Sequence, residues 1–143
     1  MKFWDASAIL PLLVGQAATG PLRAIAASDT KPVVWWASEV ECASALARLE
    51  RENLLAGAAI DAAYGRLREL SENWDEVEPS EAVRETAGRL LRVHPLRAAD
   101  ALQLAAAFVG AGQQPGRLQF VTLDQRLAEA ARKEGFILVD VAA

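Results

Sequence analysis

The spacing of apolar residues along this chain switches repeatedly between runs that suit a strand and stripes that suit a helix. Lys2–Trp4 is a short apolar start that reads as a strand, and after Asp5-Ala6-Ser7 the run Ala8–Val14 reads as the first helix. Gly15 and Gly20-Pro21 punctuate the chain, and Leu22, Ile25 and Ala26 then share one helical face. Val33-Val34-Trp35-Trp36 is a continuous run of β-favouring residues, the pattern of a strand buried on both faces. Ser38 opens a long helix to about Asn53, and Gly57 separates it from a second from about Ala58 to Asn73, giving a helical hairpin.

A short strand at Glu76–Glu78 precedes Pro79-Ser80 and a helix reaching Val93, and the break His94-Pro95 leads into an Ala-rich helix from about Leu96 to Val109. Leu118–Leu123 is the fourth strand, Gln125–Glu134 a helix stopped by Gly135, and Phe136–Val141 the fifth strand. Strands joined by helical crossovers imply an α/β fold with a parallel sheet covered on both faces. With 143 residues, 52% of them hydrophobic, and no shift in composition, the expectation is one domain spanning 1–143.

Composition narrows the setting. Cys42 is the single cysteine, so no internal disulfide is possible; a reducing, cytoplasmic setting follows, with Cys42 as a small core residue. Asp5 interrupts the apolar start and no clear A-x-A cleavage site follows the run Ala6–Val14, which argues against a secretory leader. No apolar run approaches the roughly 18 to 20 residues of a membrane span. A net charge of −4 gives no overall basic field for nucleic acid, yet twelve of the fifteen basic residues are arginines, enough for local patches along a phosphate backbone.

Four carboxylates stand where strand gives way to helix, or in the first turns of helices: Asp5, Glu41, Asp100 and Asp124. Strand ends in an open α/β sheet feed one crevice, and four acids meeting there call for a divalent cation. Each also has an ordinary structural role open to it. Asp5 is placed to cap or turn the chain, with Ser7 capping the following helix; Ser38-x-x-Glu41 matches a capping box; Asp124 occupies an N-cap position after Thr122-Leu123. Asp100 is the least ordinary, since it shares a helical stripe with Leu96, Leu104 and Ala107, where a carboxylate is costly without a cation or several donors. Glu39 is the rival of Glu41 but lies about 200° around the helix from it, so only one of them faces the crevice. His94 has no Cys or His at ligand spacing and reads as a turn residue. Trp4 and Trp36 fall in strands that need core residues, which favours core over base stacking for the tryptophans. Neither G-x-x-x-x-G-K-[ST] nor G-x-G-x-x-G follows the first strand, so a phosphate-cradling nucleotide site has no support.

Taken in order, FWDASAIL, SEVECASALARL, LRAADALQLAAA and FVTLDQRLAEAARKEGF resemble the successive signature segments of PIN-domain ribonucleases, most closely the VapC-type toxins of toxin–antitoxin pairs. The resemblance covers residues 3 to about 140. It implies a three-layer α/β/α sandwich with strand order 3-2-1-4-5 and a protruding helical hairpin. It also places Asp5, Glu41, Asp100 and Asp124 on the catalytic acidic positions, with Ser7 and Thr122 beside them, and Asp5, Asp100 and Asp124 as the ligands of Mg²⁺ or Mn²⁺. Gln103 departs from the family, in which His is common at that position. The implied activity is metal-dependent endoribonuclease cleavage of RNA; the implied partners are a cognate antitoxin and a second copy of the chain. The alternative is a catalytically silent PIN-like module that binds RNA or protein. A receiver-like phosphoacceptor domain is disfavoured, because no Asp pair follows the first strand and no Lys follows the last.

Overall fold

A computed structural model describes residues 1–141, so the last two positions of the expected 1–143 unit lie outside the described residues. Five short strands, β1 (Lys2–Trp4), β2 (Val33–Trp35), β3 (Asp75–Val77), β4 (Gln119–Val121) and β5 (Ile137–Leu138), pair in parallel in the order β3-β2-β1-β4-β5. The helices are α1 (Ala6–Leu13), α2 (Thr19–Ala27), α3 (Ser38–Arg51), α4 (Ala58–Ser71), α5 (Glu81–Val93), α6 (Ala98–Gly110) and α7 (Gln125–Lys133). Among the described residues, no helix is long and apolar enough to cross a membrane.

The two-residue period of the strands splits the core into two layers. Phe3, Val33, Trp35 and Phe120 face one way and pack with residues of α5, α6 and α7. Trp4, Val34 and Val121 face the other and pack with residues of α1 to α4. A central strand therefore needs apolar residues at every position, and β2 is buried throughout. Register aligns Phe3 with Phe120 and Trp4 with Val121, which brings the carboxyl ends of β1 and β4 side by side. At Gly110, an added Cβ would stand 3.2 Å from Val77 Cγ2, so glycine lets α6 pass close over the sheet. Gly135, with φ +101°, ends α7 in a left-handed conformation that lets the chain turn into β5.

Several expected boundaries move. Helix α1 begins at Ala6, so Ser7 lies inside it and does not cap it, while α6 begins at Ala98 and leaves Leu96 outside the helix. Trp36 is 50% exposed, correcting its assignment to the core: β2 ends at Trp35, and Trp36 points out of the turn that follows. Trp4, Trp35 and Trp74 are buried, as is Cys42. His94 is more than a turn residue. It is the buried C-cap of α5 and its Nε2 pairs with the Glu134 carboxylate beyond α7, which is also held by Arg89.

Candidate active site

Asp5 follows β1 and is 4% exposed, and its side chain makes no cap bond to α1, so the capping role open to it in the sequence is not realised. Two hydroxyls hold it instead. Ser7 Oγ and Thr122 Oγ1 both donate to Asp5 Oδ2, the latter at 2.7 Å. Each hydroxyl has one proton, so these two bonds use both. Their own lone pairs accept from backbone: Leu123 N–H reaches Ser7 Oγ at 3.0 Å, and Asp124 N–H reaches Thr122 Oγ1 at 3.0 Å. Backbone of the β4–α7 turn therefore fixes the hydroxyls, and the hydroxyls fix one carboxylate oxygen. Asp5 Oδ1 takes part in none of these bonds, which leaves it available to an incoming group.

Glu41 lies in the first turn of α3, but the capping box does not form: the N-cap is Ala37, and neither Ser38 nor Glu41 makes a side-chain cap bond. Both side chains turn to α6, where Gln103 Nε2 donates to Ser38 Oγ at 3.0 Å and to Glu41 Oε1 at 3.1 Å. Glu39 is exposed and Glu41 half-buried, as the helical register requires. Asp124 does cap α7, its Oδ1 accepting from Arg126 N–H at 2.9 Å and Leu127 N–H at 3.2 Å. Asp100, in the first turn of α6, is half-buried.

Asp5, Glu41 and Asp100 all hold their protons more tightly than ordinary carboxyls. Burial pushes the Asp5 carboxyl up, the Ser7 and Thr122 hydroxyls pull it down, and the charges of Asp100 and Asp124 raise it further. Glu41 is pushed up to about 7, first by burial, against the Gln103 bond, and then by Asp5 and Asp100. Asp100 is raised by burial and by Asp124; the Arg97 backbone N–H and the charges of Arg97 and Arg126 oppose this. Nothing in the sequence patterns singled out Arg97 or Arg126, although each is close to an acid in the chain.

As these side chains are oriented, no three His, Cys, Asp or Glu groups among the described residues close on a common point at metal-ligand distance. Their chemistry nonetheless suits a hard divalent cation: all donors are carboxylate oxygens, one oxygen of Asp5 is uncommitted, and the mutual repulsion is of the kind a cation relieves. Beside Thr122 opens a cavity of about 600 Å³, lined by Leu123, Gln125, Ala128, Arg132 and the segment Leu138 to Val141.

Residues 2–133 match the PIN domain family. Ribonuclease VapC45 of Mycobacterium tuberculosis is 32% identical over 144 residues, covering 94% of this chain and 92% of that protein. Among solved structures, Mycobacterium tuberculosis VapC20, described as a Sarcin-Ricin loop cleaving toxin, superposes with a TM-score of 0.67 at 21% identity, covering 96% of this chain and 97% of that one. A toxin–antitoxin complex from Klebsiella pneumoniae gives a TM-score of 0.66 at 16% identity, covering 99% and 98%. The latter two share the fold, whereas the family match and the near full-length relative identify the lineage: this chain belongs to the PIN-domain family, in its VapC group.

Proposed function

We propose that this protein is the endoribonuclease toxin of a toxin–antitoxin pair and that it hydrolyses RNA phosphodiesters with the help of a divalent ion. What supports this is that Asp5, Glu41, Asp100 and Asp124, from four distant segments, are linked pairwise by charge, with Asp5 at the carboxyl edge where β1 and β4 adjoin and the sheet reverses its winding. Mg²⁺ or Mn²⁺, when bound, supplies positive charge to the phosphate and lowers the pKa of water. In our reading Asp5, Asp100 and Asp124 would hold the ion, and Glu41 would either join them or orient the attacking water. Ser7 and Thr122 hold Asp5 still, and Arg97 and Arg126 counter the negative field at the crevice mouth where a polyanion must enter. The cavity beside Thr122 would take the RNA next to the scissile phosphate. An antitoxin partner, a homodimer and a cytoplasmic location complete the proposal.

Purified protein, freed of any antitoxin, is incubated with RNA and Mg²⁺ or Mn²⁺, with and without EDTA. Cleavage that EDTA abolishes, and that Asp5→Asn and Asp100→Asn lose while staying folded, supports the proposal. Full activity in EDTA would overturn the metal role, and absence of cleavage on any RNA tried would leave a silent binding module.

A further inference from the structure

We propose that Gln103 is a positioning residue that aims the Glu41 carboxylate into the acidic crevice. This inference rests on the catalytic reading of Glu41 given above. Gln103 is 1% exposed, Ser38 is 0% exposed, and the two amide hydrogens of Gln103 are both committed, to Ser38 Oγ at 3.0 Å and Glu41 Oε1 at 3.1 Å. Its Oε1 is sealed from solvent and has no partner. A buried carbonyl oxygen without a donor is unfavourable, yet the opposite orientation of the amide has its own cost. Turning the amide over would set Oε1 against Glu41 Oε1, acceptor against acceptor, and strip Glu41 of its donor.

A purely structural role does not account for this arrangement. If Gln103 only tied α6 to α3, its bond to the buried Ser38 hydroxyl would suffice, and its second N–H would have no need to meet Glu41. Asp5 and Asp100 repel Glu41, and the first turn of α3 offers it no cap bond, so without Gln103 its carboxylate has every reason to swing toward solvent. The unsatisfied oxygen accompanies the orientation that holds Glu41 in place.

The test is a double-mutant cycle with an independent spectroscopic arm. Gln103→Met keeps length and volume and removes the donor to both Ser38 and Glu41; we expect a modestly lowered melting temperature, matched by Ser38→Ala, KM for RNA within about twofold, and kcat lower by about 10- to 100-fold, a loss that Ser38→Ala does not share. In a Glu41→Gln background, the same substitution should bring no further loss. Losses that multiply independently, or a Gln103→Met protein with wild-type kcat, would overturn the proposal. Ser38→Ala spares the Glu41 bond and should keep most of kcat. In wild-type protein, the NMR signals of the Gln103 side-chain amide should move on Glu41→Gln and stay in place on Glu39→Gln; signals indifferent to Glu41→Gln would overturn the proposal. A wild-type protein that cleaves no RNA would sink the ribonuclease assignment instead, and the amide signals would still decide whether Gln103 holds Glu41.

Discussion

Thr122 donates its hydroxyl proton to Asp5 Oδ2 at 2.7 Å, a bond between residues 117 positions apart that ties the end of β4 to the end of β1. Because the same Thr122 oxygen accepts from Asp124 N–H, one side chain links two acids of the crevice. Thr122→Val should therefore leave Asp5 held by Ser7 alone and the Asp124 amide unpaired, at a cost of about 1–3 kcal/mol in stability. Cleavage should fall about tenfold or more, while Thr122→Ser restores both bonds and most of the rate. Equal rates for the Val and Ser variants would disprove the link.

Asp124 combines a cap with a charge, and two substitutions separate them. Asparagine caps a helix about as well as aspartate does, so Asp124→Asn should keep the melting temperature and lose most cleavage. Asp124→Ala should lose cleavage and, in addition, about 1 kcal/mol of stability. If the Asn variant cleaves RNA normally, Asp124 is a cap and nothing more.

The register of α3 makes Glu41→Gln far more damaging to cleavage than Glu39→Gln, because Glu39 is exposed and Glu41 is turned toward Gln103. Steady-state rates of the two variants decide this, and similar losses would mean that the wrong face of α3 has been assigned to the site.

Stability of the metal-free protein should depend on pH through Glu41. Its folded-state carboxyl sits at about 7 against an ordinary 4.5, so the folded state binds more protons in between. Stability contributed by this group is then full below about pH 4.5, declines as pH rises to about 7, and stays low above it. In EDTA, Glu41→Gln should stabilise the protein at pH 8, on the order of 1–2 kcal/mol after allowance for solvent screening and read as a higher melting temperature, with the gain fading by pH 4. A gain that is the same at both pH values would rule out charge as its source.

Glu134 should act in the opposite sense. Burial raises its carboxyl, but the His94 bond and the Arg89 bond and charge outweigh burial and leave it below the ordinary 4.5. A depressed folded-state value means stability that is present above pH 4.5 and lost as pH falls through the folded value. Glu134→Gln should thus lower the melting temperature at pH 7 and differ less from wild type in strong acid, as followed by circular dichroism.

The order of elements and the parallel sheet were legible in the sequence because each has a local signature, apolar runs for doubly buried strands and stripes for helices, and acids at or near strand-to-helix junctions marked the candidates for a site. Hydrophobic periodicity does not record where a backbone ladder begins or ends, so the six-residue fourth and fifth strands read from the pattern shrink to Gln119–Val121 and Ile137–Leu138. The competition among hydrogen-bond partners was equally hidden. Ser38 and Glu41 had a plausible capping box nearby in the chain, yet both bond to Gln103, and Asp5 takes the Thr122 hydroxyl, partners brought close only when α6 and β4 pack against their neighbours. His94 and Glu134, 40 positions apart, meet for the same reason. Local sequence sets which groups can donate, accept or carry charge. Which of them meet is decided by the packing of distant segments, because a buried polar group takes whichever partner the fold delivers once water is excluded.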